Sequence, residues 1–323
     1  MTHGAAQPIA AAVVPVIDVA PLRDGSDPLP VAREIHRAVS EVGILYVRGH
    51  GVPDGLIERA RSAALRFFRQ PRAAKLAVAA RPWHRGYLAV GDAKMDDDAE
   101  QDLKESFIWG RELSAEEARA AEDNPVLGPN VWPESQPELK DAVLPYFEAA
   151  HGCARDLMRA FAIALGLPEG TFMAGSETSL SRASIVYYPP QPAARSRDRF
   201  GVGPHTDFGV LTVLCQDDVG GLEVQTVSGD WVAAPPIEGS LVVNVGDLLQ
   251  RWSNGRFRSP PHRVVNRSGR ERLSLVVAYD PSAETVIDPA VVCADGETPE
   301  VAPITCGDYL TWRFGRAFSY RRD

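Results

Sequence analysis

The chain has 323 residues, of which 45% are hydrophobic and 24% charged, and its formal net charge is −9. This balance is typical of a globular protein and excludes the disordered and fibrous classes, while the length allows either two average domains or one large β-barrel with helical additions. The acidic excess argues against a sequence-independent phosphate binder, and no apolar run approaches the roughly 18 residues of a membrane span, so we expect neither a nucleic-acid nor a membrane partner.

The four cysteines, Cys153, Cys215, Cys293 and Cys306, are far apart and form no C-x-x-C pair. This arrangement offers neither a zinc ribbon nor a disulfide framework, and we expect reduced thiols, as in cytosolic proteins. The N-terminal segment lacks the basic region that begins a secretory signal. These features predict a cytoplasmic protein, whereas the sequence does not indicate its oligomeric state.

The N-terminal half alternates short strands with amphipathic helices. Residues 1–14 are rich in Ala and predict a flexible tail, which leads into a short edge strand over 14–19. Apolar residues at three- and four-residue spacing then predict a helix over 31–42. A β-rich run at 44–47 precedes a second helix over 53–71.

A long apolar stripe predicts a third helix over 138–165, which Pro145 should kink or restart. Such a stripe is typical of a core helix rather than of a cofactor or partner groove. We assign residues 15–175 to an N-terminal region of helices and strands packed on the core. The acidic run at 96–98 lacks the Gly and the terminal Glu of a calcium loop, and we interpret it as a solvated loop.

After residue 180 the pattern changes to short β-rich runs at intervals of about ten residues, separated by turns. Evenly spaced short strands predict a sandwich or barrel, and a double-stranded β-helix, or jelly roll, can hold a small-molecule site between its sheets. We therefore expect a mainly β fold with flanking helices, whose jelly-roll catalytic core spans residues 176–285. Residues 286–323 form a C-terminal segment that is expected to include a lid helix.

Two histidines and one aspartate in the β-rich half have the spacing of a metal site. In an extended strand, residues i and i+2 point to the same side, so His205 and Asp207 can both face one ion. His262 comes from a different strand and completes the set. Two His and one carboxylate with open positions opposite them are what a non-haem Fe(II) oxygenase needs. Each residue alone is a weak signal, because a single His more often satisfies a hydrogen bond in the core.

Ten residues after His262, Arg272 and Ser274 share one face of another strand by the same rule. Arg offers a planar fork of donors that matches a carboxylate, and the Ser hydroxyl adds a third donor. In isolation, Arg272 would be a surface ion pair and Ser274 a solvent-facing residue. In combination with the three metal candidates, they predict that a dicarboxylate lies between the metal and the fork.

This set of motifs, His-X-Asp, a distant His and then Arg-X-Ser, resembles that of the isopenicillin N synthase-like family of Fe(II)- and 2-oxoglutarate-dependent oxygenases. Further matches occur over most of the chain, and their order and intervals agree as well as the residue types. These matches are at 43–47, 49–52, 67–71, 85–87, 104–107, 186–189, 220–222, 243–247 and 253–255.

The resemblance implies an enzyme that uses Fe(II), 2-oxoglutarate and O₂, with ascorbate as a helpful reductant. The three metal candidates would hold the iron, and the Arg-X-Ser pair would hold the far carboxylate of 2-oxoglutarate, to which Tyr188 would add a hydrogen bond. The enzyme would hydroxylate or desaturate a small-molecule substrate and release succinate and CO₂. The family often has Asn where Val186 stands, so any polar contact made there is lost or is made by another group.

Aromatic residues with one or two charged anchors suit an amphipathic small-molecule substrate. Residues 312–318 resemble the closing helix of the family, which can act as a lid, and Arg316 on this helix would bind an acidic substrate. Core packing is the alternative for every residue that meets this criterion. The candidates for the pocket wall are Arg85, Tyr87, Phe107, Phe208, Trp252, Phe257, Arg316 and Phe318.

Two other functions are compatible with the same motifs. The first is an oxidase or cyclase of the same family that does not use 2-oxoglutarate, and a related variant would fragment 2-oxoglutarate itself. The second, from a different class, is a non-catalytic sensor of 2-oxoglutarate or of a metal ion. The amount of succinate formed per substrate consumed distinguishes these functions.

Overall fold

The computed structural model describes residues 14–93, 102–190 and 200–318. The expected flexible tail, apart from residue 14, lies outside these ranges, and so does the acidic run at 96–98. None of the helices in the described ranges has the length and apolar character that a bilayer crossing demands. All four cysteines are free thiols.

The helices expected from apolar spacing are present as α1, α2 and α5. The last of these continues without interruption through Pro145, so the helix does not restart there. Its buried stripe packs against α1 and α2, which compensates for the hydrogen bond that Pro cannot donate. The described helices are α1 (Leu29–Glu41), α2 (Asp54–Phe68), α3 (Arg72–Leu76), α4 (Ala115–Ala120), α5 (Glu138–Ala164), α6 (Asp247–Trp252) and α7 (Cys306–Ala317).

The strands of the described ranges form two main sheets. They are β1 (Val16–Asp18), β2 (Ile44–Arg48), β3 (Gly86–Leu88), β4 (Glu105–Gly110), β5 (Arg182–Tyr188), β6 (Val202–His205), β7 (Leu211–Cys215), β8 (Leu222–Gln225), β9 (Trp231–Ala233), β10 (Leu241–Val245), β11 (His262–Val264), β12 (Arg272–Tyr279), β13 (Val286–Ile287) and β14 (Ile304–Thr305). The large sheet has the order β1-β2-β10-β7-β12-β5-β4-β3, and the small sheet has the order β6-β11-β8-β9. The strands β13 and β14 pair with each other.

This arrangement is the expected mainly β fold with flanking helices, and its two sheets face each other as in a jelly roll. Strands from the N-terminal region extend the large sheet at both edges, since β1 and β2 lie beyond β10 while β3 and β4 lie beyond β5. Residues 15–175 therefore contribute strands to the large sheet as well as helices that pack on it. The division of the chain at residues 175 and 285 stays a prediction.

The large sheet separates an apolar core from a cavity. On one face α5 packs against β7 and β12, and alternate residues such as Ile185, Val213 and Leu275 are fully buried in the core. The intervening residues face the small sheet. Because side chains alternate across a strand, each central strand serves both the core and the cavity.

Candidate active site

The cavity lies between the two sheets, and residues that are opposite each other on paired strands line it together. On the large sheet, Tyr188 of β5 lies opposite Arg272 of β12. On the small sheet, His205 of β6 lies opposite His262 of β11. The two halves of the expected site therefore face one enclosed space, one half on each sheet.

The three expected metal ligands come together in this cavity. One ligand atom from each of His205, Asp207 and His262 lies within 4.8 Å of the others. The Nε2 atoms of His205 and His262 are 3.8 and 3.7 Å from Asp207 Oδ1, and the two imidazole centroids are 4.3 Å apart. The nitrogen–oxygen separations are too long for hydrogen bonds, so the three atoms are available to share one ion.

Backbone carbonyls fix the orientation of both imidazoles. His205 Nδ1 is 2.8 Å from the Gly203 carbonyl oxygen, and His262 Nδ1 is 3.1 Å from that of Pro260. A carbonyl oxygen only accepts, so each Nδ1 carries the proton and each Nε2 keeps its lone pair for a metal. Burial and the neighbouring His262 lower the pKa of His205 to about 3, so its imidazole is neutral at neutral pH, as metal binding requires.

Asn244 on β10 orients the Asp207 carboxylate. Asn244 Nδ2 donates to Asp207 Oδ2 over 2.7 Å, which leaves Oδ1 toward the two histidines. Burial by itself raises the pKa of Asp207. The nearby His262 and His205, with hydrogen bonds from Thr212 and Asn244, outweigh burial and hold this pKa at about 2. The carboxylate is therefore ionised and ready to bind a cation.

The turn that carries Asp207 is clamped by the backbone that follows β10. The amide of Asp247 donates to the Asp207 carbonyl over 2.8 Å, and the amide of Gly246 donates to the Val210 carbonyl over 3.0 Å. A Cβ atom on Gly246 would lie 2.0 Å from the Gly209 carbonyl oxygen, so only glycine permits this approach. The position of the carboxylate is thus set by main-chain contacts as well as by Asn244.

The donor set fits an iron ion. Two imidazoles with free Nε2 atoms and one carboxylate converging from one side are the arrangement that non-haem Fe(II) enzymes use, with other coordination positions left open. Each ligand also has a hydrogen-bonding partner that fixes its orientation, as metal ligands in proteins usually have. Within the described ranges, no second group of three His, Cys, Asp or Glu side chains has this proximity.

Replacing Asn244 should weaken metal binding without removing a ligand. We expect Asn244→Ala to lower Mn(II) affinity roughly tenfold, at the lower end of the approximately 10- to 100-fold contribution of residues that orient a ligand. Calorimetric titration with Mn(II) measures the effect. Asn124→Ala is the control, because Asn124 accepts hydrogen bonds from turn amides and does not line the cavity. Unchanged affinity in Asn244→Ala would remove Asn244 from the site.

Arg272 and Ser274 are buried in the cavity wall with unused donors. Arg272 is 1% exposed, and its Nε donates to the Gly220 carbonyl over 2.6 Å. Its Nη1 and Nη2, and the Ser274 hydroxyl, have no hydrogen-bond partner among the described residues. Burying a donor without a partner costs about 1–3 kcal/mol, so this wall is preorganised for a ligand with several acceptors. A carboxylate group has that character.

Tyr188 supports the guanidinium of Arg272. The Arg272 Cζ atom lies 4.7 Å from the centroid of the Tyr188 ring, which is a cation–π contact. Burial raises the pKa of the Tyr188 hydroxyl to about 12, so this group stays protonated and can donate. Val186 lies in the next row, between Ser106 on β4 and Ser274 on β12. The polar groups that flank the position of the missing Asn are therefore two hydroxyls.

The structure places two of the eight residues expected on the substrate wall in the lining of the cavity. Phe208 and Phe318 line the cavity. The six residues that do not line it are Arg85, Tyr87, Phe107, Trp252, Phe257 and Arg316.

Strand alternation explains why Tyr87 and Phe107 do not line the cavity. These residues lie opposite each other on β3 and β4 and point into the core, where the Phe107 ring is 5.0 Å from the Phe67 ring. Their sequence neighbours Leu88 and Ser106 face the cavity instead. The cavity is therefore lined by the neighbouring positions of the same two strands.

Trp252 and Phe257 belong to the helical core. The Trp252 ring packs 5.1 Å from Phe172, and the Phe257 ring packs 5.2 Å from Phe161. Both side chains are almost fully buried there, and neither lines the cavity. Their burial reflects packing under α5 and α6 rather than substrate contact.

The two arginine candidates face away from the cavity for different reasons. Arg85 is 1% exposed, and its guanidinium fills the space over Gly110, where a Cβ atom would be 2.6 Å from Nη2. Arg316 is exposed on the outer side of α7, with its guanidinium 5.5 Å from the Trp312 ring. The inner side of the same helix carries Phe314, which lines the cavity.

Several polar residues of the cavity are not among the site candidates from the sequence, and they include His84, Lys104, Arg182 and Asn244. A period-two signal was available for Arg182, since residues 182, 184, 186 and 188 share one face of β5. Asn244 and Lys104 lie in segments that matched the family, 243–247 and 104–107. Their polar side chains next to the metal motif were the remaining signal. His84 offered no sequence signal that we can name.

Comparisons with known proteins show the family to which the chain belongs. The model of the 2OG-Fe(II) oxygenase superfamily matches residues 181–281, and a model described as non-haem dioxygenase in morphine synthesis N-terminal matches residues 14–135. The chain is 31% identical to the 2-oxoglutarate-Fe(II) type oxidoreductase hxnY of Emericella nidulans, over 96% of this chain and 93% of that protein.

A second relative is the homoarginine-6-hydroxylase 2-ODD-C23 of Glycine max, which is 32% identical over 85% of this chain and 88% of its own. The crystal structure of a full-length Neurospora crassa protein in complex with alpha-KG and thymine matches with a TM-score of 0.83 at 27% identity, covering 94% of this chain and 96% of that one. The expected family, fold and cofactors are confirmed: the chain belongs to the 2-oxoglutarate- and Fe(II)-dependent oxygenase superfamily and is a non-haem iron dioxygenase.

Proposed function

We propose that His205, Asp207 and His262 hold the Fe(II) of this dioxygenase, and that the opposite wall binds 2-oxoglutarate. Arg272 and Ser274 take its far carboxylate in this assignment, and Tyr188 adds a further donor. The observation that carries the proposal is the pairing of two incomplete sites in one cavity. Three metal-binding atoms converge without hydrogen bonds between them. On the opposite wall, three buried donor atoms of Arg272 and Ser274 lack partners among the described residues.

The protein positions the reactants and provides the buried, charged wall that Arg272 and Ser274 form. When bound with 2-oxoglutarate and O₂, the iron supplies the oxidising power for a substrate C–H bond, with release of succinate and CO₂. The two carbonyl contacts hold a proton on each Nδ1, so each Nε2 is left with its lone pair toward the metal position. The guanidinium and hydroxyl donors would fix one end of the dicarboxylate, and its other end would extend toward the metal ligands that line the same cavity.

The substrate is a small molecule. The names of similar proteins point to different small molecules: one is a homoarginine hydroxylase, and the crystal structure of another contains thymine. The cavity of this chain offers Phe208, Phe314 and Phe318 on one side. We propose that these rings contact the substrate and that oxidation takes place at a carbon held between them and the metal ligands.

The test is the ratio of succinate formed to substrate oxidised, with Fe(II), ascorbate and a library of small molecules. A ratio near one supports the dioxygenase reaction. Substrate oxidised without succinate would favour the oxidase or cyclase alternative. Consumption of 2-oxoglutarate without succinate would favour its fragmentation, and binding of 2-oxoglutarate without consumption would favour a sensor.

The cytoplasmic location stays a prediction from the sequence. We propose it on the basis of the four free cysteines, because free thiols are typical of reducing compartments. Fractionation of the native host, followed by immunodetection of the chain, tests this location.

A further inference from the structure

We infer that the part of the cavity around Arg182 binds an uncharged, planar ring with a hydrogen-bond acceptor at its edge, such as a cyclic or aromatic amide. This inference rests on the proposed function, because it names the substrate class of the same site. Three observations carry it: the place of Arg182 relative to the two cofactor sites, the rings around it, and the charge of its partner.

Arg182 lies in the same cross-strand row as Asn244, which orients the metal ligand Asp207. The row runs from Asn244 through Thr212 and Ala278 to Arg182 across four neighbouring strands. Tyr188, in the 2-oxoglutarate wall, is six residues away along β5, which corresponds to about 20 Å of extended strand. Arg182 is therefore remote from the 2-oxoglutarate wall and faces the side of the cavity that is left for the substrate.

Aromatic rings surround this side of the cavity. The Arg182 Cζ atom lies 4.8 Å from the centroid of the Phe314 ring. The His84 ring lies 4.5 Å from Phe314 and 4.4 Å from Phe318, and Phe208 lies 6.3 Å from Phe314. Faces and edges of rings at these distances are the surroundings that a flat, ring-shaped ligand prefers. A planar guanidinium at the border of such a set offers donors to the edge of the ligand.

The charge of Arg182 is already neutralised. Its Nη1 donates to Asp280 Oδ2 over 2.5 Å, and Asp280 is fully buried. Lys104, another cation that lines the cavity, lies 3.3 Å from the carboxylate of Asp102. Within the described ranges, no carboxylate pairs with Arg272. An anionic ligand therefore gains most at the 2-oxoglutarate wall, whereas the Arg182–Asp280 pair offers N–H donors without net charge.

Asp280 also fixes the direction of Arg182. Its Oδ1 accepts from the amide of Val210 over 3.0 Å, so the carboxylate is held by the turn that follows Asp207. A Cβ atom on Gly209 would lie 2.4 Å from Asp280 Oδ1, which shows how closely the turn and the carboxylate are packed. The donors of Arg182 are thus positioned relative to the metal-binding turn, as the orientation of a substrate carbon requires.

The experiment compares two probes of the same shape, benzamide and benzoate. The protein is loaded with Mn(II) and 2-oxoglutarate without O₂, and relaxation enhancement of the probe ring protons is measured, with Zn(II) protein as the diamagnetic control. We expect benzamide to bind about tenfold more tightly than benzoate and to be relaxed by the metal, because burying an anion beside an already neutralised Arg182 costs more than burying a neutral amide. Equal or tighter binding of benzoate would overturn the inference.

Two variants test separately the hydrogen bond from Arg182 to the ring edge and the neutralisation of Arg182 by Asp280. Arg182→Met should weaken benzamide binding about tenfold, because it removes the donor of the hydrogen bond to the ring edge. Asp280→Asn keeps an oxygen for Val210 but leaves Arg182 unneutralised, so the preference should shift toward benzoate. Unchanged binding in Arg182→Met, or an unchanged preference in Asp280→Asn, contradicts the inference. The control Arg159→Met removes an exposed pair with Glu169 and should change neither probe.

Measurements on the same samples distinguish a failure of the proposed cofactor sites from a failure of the proposed substrate class. Failure of the wild-type protein to bind Mn(II) or 2-oxoglutarate would count against the proposed cofactor sites. Normal binding of both, with benzoate preferred, would count against the substrate class alone. If Asp280→Asn does not fold, the wild-type preference and Arg182→Met decide the question without it.

Discussion

His205→Ala should abolish turnover and metal binding together. Removal of residues that only orient a metal ligand costs about 10- to 100-fold, so loss of a ligand itself should lower succinate formation more than roughly 1,000-fold. The remaining pair, Asp207 and His262, would hold the ion from two positions instead of three. Mn(II) affinity by calorimetry and succinate formation with Fe(II) measure the two effects separately.

The matched control is His36→Gln. His36 is a partly buried histidine on α1 whose ring meets the edge of Phe257 at 5.9 Å, and it does not line the cavity. We expect its replacement to leave Mn(II) affinity unchanged. If His205→Ala kept wild-type metal affinity and turnover while remaining folded, the assignment of the metal site would be wrong.

The metal candidates could be identified from the sequence because they obey short-range rules. His205 and Asp207 are two residues apart, and so are Arg272 and Ser274, so the alternation of a strand predicts that each pair shares a face. The opposite pairing of His205 with His262 is a tertiary contact. The resemblance to a known family, rather than spacing, supplied the expectation that the distant His joins the set.

The substrate wall could not be identified in the same way. The strand β3 has only three residues, too few to show which face is buried. The sequence pattern therefore suits Tyr87 and Leu88 equally well as cavity residues. On α7, Arg316 suited a substrate in the sequence, whereas the rotation of the helix places Phe314 in the cavity lining and Arg316 outside it. An aromatic residue has the same sequence pattern in a core as in a pocket, so composition cannot distinguish the two.

Arg182 shows a further limit of the sequence. Its role depends on Asp280, which is 98 residues away and pairs with it through the register of β5 and β12. An arginine without its partner reads as an anion-binding residue, as Arg316 does in the sequence. The buried carboxylate changes the expected ligand from an acid to an uncharged acceptor.

Arg272→Lys should weaken 2-oxoglutarate binding about 10- to 100-fold, because hydrogen bonds to charged groups contribute about 1.5–3 kcal/mol. Lys has a single ammonium and cannot offer two parallel donors to a carboxylate, and it also loses the bond from Nε to the Gly220 carbonyl. The metal ligands are untouched, so Mn(II) affinity should stay at the wild-type level. Calorimetric titration of the Mn(II) protein with 2-oxoglutarate, without O₂, measures the change.

Arg270→Lys provides the control, since it makes the same chemical change two residues earlier. Arg270 is exposed and pairs with Asp218 on the surface, where an ion pair contributes only about 0–1 kcal/mol. We expect its affinity for 2-oxoglutarate to equal that of the wild-type protein. Unchanged affinity in Arg272→Lys would mean that the dicarboxylate lies elsewhere, and the unpartnered donors of the wall would then need a different ligand. A loss confined to Arg272→Lys would assign those buried donors to 2-oxoglutarate.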